Sequence, residues 1–516
     1  MDFPTFRSLI ADRRRSGARR SEARLLAVPV CRRRSADLLT PVAAFLALRE
    51  PGAFSFLLES VEGGERLGRY SFLGTRPYQI VEARGDDVWV RRGGDLSLGD
   101  GAPPRPEKGT VYEVMARLVD AYEEVKQPGL PRFTGGAVGF MGYDTVRSLE
   151  RLGNAPPDTI PGDDVPDALW AFYDTVAAFD HVARQLVLMA TVFVDDDTDL
   201  AYAWDDARDR LDLLEAGLTT GPIMLPEPVA LRDRDPQSNV TRAEFEASVR
   251  RAKTHIVEGD IFQVVLSQRF ALPFAGDPFN LYRALRQVNP SPYLFFLDFD
   301  GFQLAGSSPE VLVRVEGTPE GSRRAEVLPI AGTRRRGDTP EEDAALEAEL
   351  VADPKERAEH LMLVDLGRND LGRACRVGTV EVERYATVER YARVMHLVSS
   401  VSGEVADEQR TFDVLAACFP AGTVSGAPKV RAMELIDELE TGKRGVYAGA
   451  VGYADFSGNM DTCIAIRTML IRGQTAYIQA GAGIVADSDP GLEYEETRTK
   501  ARALLDAMRV AADGLL

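Results

Sequence analysis

The chain has 516 residues, 45% of them hydrophobic and 27% charged, an ordinary globular composition at a length that allows roughly two to four domains. Its formal net charge of −19 argues against a general nucleic-acid or anionic-membrane binder, because either partner would be repelled at long range. Cys31, Cys375, Cys418 and Cys463 form no CxxC pair or disulfide scaffold, which points to a reducing cytoplasm, and no apolar run approaches the ~20 residues that span a bilayer.

Residues 1–23 include the run ADRRRSGARR, carry no secretory apolar core and read as a mobile Arg-rich leader. From 24 to 218, strand-like runs such as FSFLLESV, YQIVEA, VWVRR and LVLMATVFV mix with the helical YEVMARLVDAYEEV, which predicts a mixed α and β module. The proline-containing stretch 219–240 holds no sustained period and is the predicted linker. Thr241 then opens TRAEFEASVRRAKTHIVEGD, with Thr241 as N-cap and Glu244 as its capping-box partner, and a second unit spans 241–516.

In that unit VVLSQRFAL, YLFFLDF, FQLAGSS, VLVRVE, GAVGYADF and AYIQAGAGIV read as strands, some paired as hairpins, without a strict βαβ rhythm. The expected class is α+β. AGAGIV lacks the GxGxxG spacing of a dinucleotide site and has no acidic residue placed for a ribose.

Two helices carry clustered acids. In DPKERAEHLMLVDLGRND, Asp353 is the N-cap, Pro354 sits at the first helical position and Glu356 folds back on the cap, whereas Glu359 has no such local task. After SDPG, the helix LEYEETRTKARALLDAMR buries Thr497, Ala501, Leu504, Leu505 and Met508. Its neighbouring face carries Glu493, Glu496 and Lys500, either as a solvated i,i+4 pair or as part of a site.

The last hundred residues also hold CFPAGTVSGAPK, RGVYAGAVGY and AIRTML beside AGAGIVADSDPGLEYEETRTK. Small residues let backbone approach a ligand, and Thr423, Tyr447, Arg467, Glu496 and Lys500 offer polar and charged groups around it. Two carboxylates from separate helices suit Mg²⁺, a hard ion that takes oxygen ligands and leaves positions open for a substrate carboxylate. The four histidines and four cysteines form no zinc-like cluster. Arg467 and Lys500 would neutralise a second carboxylate, so the pattern implies a small dicarboxylate.

Taken in order, GDIFQVVLSQRF, SSPE, LPIAGTRRRG, AEHLMLVDLGRNDLGR, VMHLVSSV, FPAGTVSGAPKVRAMELI and the C-terminal block resemble the chorismate-utilising enzymes, over nearly the whole chain from about residue 24. The resemblance implies an α+β fold in which two orthogonally packed, antiparallel-rich β-sheets are covered by helices. It implies Glu359 and Glu496 as Mg²⁺ ligands, and Gly332, Thr333, Tyr447, Arg467, Gly481, Ala482, Gly483 and Lys500 as the chorismate-binding set. Glu310 of SSPE resembles the family's general acid, with His396 and Thr423 assisting.

Two positions bear on the reaction within this family. Members that add water carry Lys at the position of Gln263, and members that use a covalent adduct carry Lys at that of Ala331; an amide and a methyl supply neither base nor nucleophile. The expected reaction is therefore addition of ammonia at C2 of chorismate with loss of the C4 hydroxyl, then elimination of pyruvate to give anthranilate. The alternatives are an enzyme that halts after amination and a non-catalytic tryptophan sensor with the same fold.

No GxCxGxQ glutaminase segment is present, so a separate glutamine amidotransferase subunit is the implied source of ammonia, within a homo- or hetero-oligomer. LLESVEGGERLGRYSFLG (57–74) and NPSPYLFF (289–296) resemble the family's paired tryptophan-binding segments. They give Ser60, Pro292, Tyr293 and Leu294 as expected inhibitor contacts.

Overall fold

The computed structural model describes residues 1–15, 24–50, 52–60, 68–93, 103–160, 165–233, 235–318, 321–391 and 394–515. Strand-forming runs, many of them buried on both faces, assemble into two large sheets. The first runs, in order of pairing, through Ala230–Leu231, Gln263–Ala275, Thr475–Ile484, Thr468–Arg472, Phe302–Ser308, Tyr293–Asp298, Ser55–Glu59, Tyr70–Gly74, Thr175–Asp180, Gln185–Val194, Leu25–Ser35 and Tyr122–Glu124. The second runs through Ile330–Arg335, Val394–Glu404, Arg323–Val327, Val311–Gly317, Met460–Ile464, Ala450–Asp455, Gly136–Met141, Ala168–Tyr173, Gln79–Arg84, Asp87–Arg92 and Arg105–Glu107. Among the described residues these neighbours pair antiparallel, apart from Leu25–Ser35 with Tyr122–Glu124.

Each sheet takes strands from both sides of 219–240. Ser55–Glu59 pairs with Tyr293–Asp298, and Gly136–Met141 with Ala450–Asp455, so the two units read along the sequence are interleaved in space. The predicted linker itself contributes two short edge pairings, Ala230–Leu231 and Gln237–Ser238, along Gln263–Ala275. Burial of Phe296, Leu304, Phe140, Trp170 and their neighbours between the layers supplies the driving force.

The helix starts follow the sequence signals. Thr241 accepts from the Glu244 amide while Glu244 accepts from the Thr241 amide, and Asp353 and Asp489 cap the helices Pro354–Gly372 and Pro490–Asp513. Thr497, Ala501, Leu504, Leu505 and Met508 form the buried stripe of the last helix. Loss of a side chain such as Leu504 would cost roughly 2–5 kcal/mol.

The leader expectation needs correction. Phe3–Arg15 is a helix, with Phe6 and Ile10 buried and the Phe6 ring 5.4 Å from that of Trp204. Arg13 pairs with Glu123. Phe3, Phe6 and Ile10 recur at helical spacing and give the segment an apolar stripe, which the abundance of arginine masks in a compositional reading. Residues 16–23 of that expected leader lie outside the described residues.

Among the described residues no helix is long and apolar enough to cross a membrane. All four cysteines are unbridged.

Candidate active site

The floor of the site is the pairing of Gln263–Ala275 with Thr475–Ile484, in which Val265 faces Gly483 and Ser267 faces Gly481. A Cβ on Gly481 would stand 2.6 Å from the Tyr447 hydroxyl, and one on Gly483 would stand 2.7 Å from Gln263 Nε2. Hydrogen at these positions is what allows Tyr447 and Gln263 to lie over the strand. Ala482, between them, points to the opposite face, where it is buried in the core beside Leu266, and so offers the site only its backbone. Lys500 reaches this floor from the last helix, donating to the Gly481 carbonyl at 3.0 Å and pairing with Glu496 at 2.7 Å.

Glu310 sits where the chain crosses from one sheet to the other, between Phe302–Ser308 and Val311–Gly317. Its backbone carbonyl accepts from the Ile464 amide at 3.0 Å, and its carboxylate Oε1 accepts from Thr423 Oγ1 at 2.9 Å. Burial raises its pKa to about 7, against the opposing pull of the Thr423 hydrogen bond and the Lys500 charge. Thr423 is presented by the short turn Gly422–Val424.

His396 and Thr333 face each other across the pairing of Ile330–Arg335 with Val394–Glu404, where Gly332 bulges at φ +66°. Nδ1 of His396 lies 2.9 Å from the Gly332 carbonyl and 3.1 Å from Thr333 Oγ1. A carbonyl only accepts, so Nδ1 carries the hydrogen and Nε2 keeps its lone pair. Burial lowers the pKa of His396; the Gly332 hydrogen bond opposes this and the Arg467 charge adds to it, which leaves the ring neutral near pH 7.

Arg467 adopts φ +50°, a left-handed conformation that is costly for a side-chain-bearing residue, immediately before the strand Thr468–Arg472. Burial lowers its pKa, with Tyr447 and Glu496 opposing. Among the described residues its guanidinium has no hydrogen-bond partner, so its fork is available to a carboxylate.

The acids of the two helices converge. Burial raises the pKa of Glu359, repulsion from Glu356 and Glu496 adds to the rise, and Lys355 and Lys500 oppose it. Glu493 is raised as well, first by burial and then by Glu496, with Ser488 and the same lysines opposing. Glu356 does not fold back on its cap. The Asp353 amide already donates to Glu349 of the preceding helix at 3.0 Å, and Glu356 pairs with Arg334 at 3.0 Å instead. The i,i+4 pair of Glu496 and Lys500 forms, while Glu359 is the more enclosed acid. Half-buried Glu359 and exposed Glu496, whose charges repel, offer oxygen-only donors that fit a hard divalent cation.

One contributor escaped the sequence reading. Arg444 is fully enclosed, pairs with Glu440 at 2.6 Å, donates to the Val424 and Val265 carbonyls, and stacks over the Tyr447 ring at 5.5 Å. It holds Tyr447 in place. Its only sequence signal was its position within RGVY, where an arginine reads as a surface residue.

The four expected inhibitor contacts also come together. Ser60, Pro292, Tyr293 and Leu294 line a cavity of about 90 Å³ with Tyr453 and Asp461. Tyr293 donates to Asp461 at 2.7 Å and accepts from Arg314 at 3.0 Å. Residues 61–67 of the first segment lie outside the described residues.

Comparison with known proteins adds the family context. The chorismate binding enzyme family matches residues 55–506. The chain is 45% identical over 493 residues to anthranilate synthase component 1 of Acetivibrio thermocellus, covering 94% of this chain and 96% of the relative. It is 47% identical over 511 residues to anthranilate synthase component 1 of Mycobacterium tuberculosis (strain ATCC 25618 / H37Rv), covering 95% and 96%. Among solved structures, anthranilate synthase component I from Streptococcus pneumoniae TIGR4 superposes with a TM-score of 0.71 at 37% identity, over 91% of this chain and 98% of that one. MenF, the menaquinone-specific isochorismate synthase of Escherichia coli, superposes at 0.68 with 20% identity over 98% and 99%, a likeness of fold alone.

Proposed function

The chain belongs to the chorismate-binding enzymes and acts on chorismate, and on that premise we propose that it is the aminating component of anthranilate synthase, joining ammonia to C2 and expelling pyruvate. The observation that carries the choice of nucleophile is the neutral Gln263 amide over the floor strand, together with the buried Ala331 methyl: neither can deprotonate water or form a covalent adduct.

Ammonia adds at C2, the ring double bonds shift toward C4, and the C4 hydroxyl leaves. Glu310 protonates that leaving group. A carboxyl with a pKa of about 7 keeps a large protonated fraction at neutral pH, and the Thr423 hydroxyl fixes its orientation. His396 Nε2 then accepts the C2 proton, Nδ1 being committed to Gly332; the C3–O bond breaks, the ring becomes aromatic, and the departing enolpyruvate takes up a proton at its methylene carbon to become pyruvate. Arg467, Tyr447 and the Gly481 and Gly483 backbone hold the substrate carboxylates and ring. Glu359 and Glu496 would hold Mg²⁺, which when bound supplies positive charge opposite the ring carboxylate.

The relatives' designation as component 1 supports a partner subunit, and a glutamine amidotransferase that releases ammonia fits the chemistry. Tryptophan is the proposed occupant of the cavity at Ser60 and Tyr293. Tyr293 pairs with Ser308, two residues before Glu310, and Cys463 of the cavity precedes Ile464, whose amide holds the Glu310 carbonyl. An occupant there bears on the general acid through these strands.

Product analysis tests the reaction. Fluorescent anthranilate with released pyruvate supports it; a non-aromatic amine without pyruvate would assign the chain to the enzymes that stop after amination.

A further inference from the structure

An ion pair is buried where the floor strand, the Thr423 turn and the ring of Tyr447 meet. Glu440 ends the helix Lys429–Leu439 as its C-cap, and Arg444 follows four residues later. Arg444 Nε donates to Glu440 Oε2 at 2.9 Å and Nη2 to Oε1 at 2.6 Å, a two-pronged contact whose side chains are only 1% and 6% exposed.

Such a pair adds little to stability by itself. Desolvation of two ions offsets most of their attraction, and apolar side chains of similar volume hold a core as well or better. What apolar side chains cannot do is tie backbone together. Arg444 Nη1 donates to the Val424 carbonyl at 2.6 Å and Nη2 to the Val265 carbonyl at 2.7 Å. Glu440 Oε1 accepts from both the amide and the hydroxyl of Ser267, at 2.8 and 2.9 Å.

Each of these contacts ends one step from a working group. Val424 follows Thr423, whose hydroxyl donates to Glu310. Val265 faces Gly483 and Ser267 faces Gly481 across the floor. The guanidinium plane lies over the Tyr447 ring, whose hydroxyl stands above Gly481. The Val265 amide donates to the Ser425 carbonyl at 2.9 Å, so Arg444 adds a charged link between the same turn and the same strand.

We propose that Glu440 and Arg444 are positioning residues for the amination: the pair fixes the Thr423 turn against the floor strand, and so sets the hydrogen bond to the general acid and the placement of Tyr447 together. The inference rests on the aminating function above. It gives a buried charge pair that touches no reacting atom a part in the acid strength of Glu310.

Steady-state anthranilate formation by the full chain, followed through the neutral and alkaline range, tests it. Arg444→Lys keeps the positive charge opposite Glu440 but has one nitrogen in place of three and cannot span both carbonyls. Besides Lys500, the Thr423 hydrogen bond is what holds the Glu310 proton affinity down against burial. Its loss is expected to move the alkaline limb of kcat upward by about one pH unit, and the loosened Tyr447 to raise the KM for chorismate roughly tenfold. A pair that served stability alone would lower the melting temperature and leave the limb where it is. Glu440→Asp keeps the charges opposed while withdrawing the carboxylate by one methylene; it is expected to move limb and KM the same way, and decides the matter should Arg444→Lys fail to fold. If the folded variants keep the parent's alkaline limb while anthranilate still forms, the positioning role is overturned and the amination stands. If the unmodified chain forms no aminated product at all, the amination fails and this role falls with it.

Discussion

Glu310 concentrates the chemistry at the scale of a single residue, because a carboxyl enclosed at the crossing of two sheets has its proton held to about pH 7 by burial. As the acid that protonates a leaving hydroxyl, it works only in its protonated form, so turnover falls as pH rises through about 7. Glu310→Gln keeps the Thr423 contact and is expected to lower kcat by roughly 10²–10⁴-fold. Stability should move the other way. The folded pKa lies above the ordinary glutamate value of 4.5, so the burial cost is absent below that pH, builds between 4.5 and 7 and is fully present above about 7. At pH 8 Glu310→Gln is therefore expected to be more stable than the parent, by up to about 3 kcal/mol in a denaturant titration. The sequence motif SSPE located this residue through resemblance, but its titration comes from three-dimensional enclosure and could not be read from neighbours in the chain. The same limit explains Glu356, whose capping partner was already taken by the end of the preceding helix.

Two strands and two helices make the site at the scale of elements. Gly483 has an ordinary φ, so Gly483→Ala acts by contact alone, pushing its methyl into the Gln263 amide; a rise in the KM for chorismate of roughly tenfold with an unchanged melting temperature is expected. The helices Pro354–Gly372 and Pro490–Asp513 bring Glu359 and Glu496 together. Glu359→Gln or Glu496→Gln should raise the Mg²⁺ concentration for half-maximal activity by about tenfold or more, measured by titration after chelation, and undiminished activity in both would refute the metal assignment. These elements were largely legible. Asp-Pro starts marked both helices, and alternating apolar residues marked Gln263–Ala275 and Thr475–Ile484. The helix Phe3–Arg15 was not, because its arginines dominate composition while the stripe of Phe3, Phe6 and Ile10 needs a partner such as Trp204 to become visible.

The whole molecule is organised by interleaving, which no local signal announces: Gly136–Met141 finds Ala450–Asp455 across three hundred residues of chain, and only the folded sheets show it. This arrangement sets the cavity at Ser60 and Tyr293 against strands of both sheets, with Tyr293 paired to Ser308, two residues before Glu310. Substituting Ser60 with Arg would fill the cavity. The ratio of rates with and without tryptophan should then approach one, while the parent chain loses rate as tryptophan is added; equal sensitivity in both would move the inhibitor elsewhere. The central claim, that this site aminates chorismate to anthranilate, is tested most directly by mass analysis of the products made by the purified chain from chorismate, Mg²⁺ and ¹⁵N-ammonium. The account predicts ¹⁵N in anthranilate and one pyruvate for each anthranilate formed. Conversion of chorismate to a hydroxylated product free of the label would contradict it.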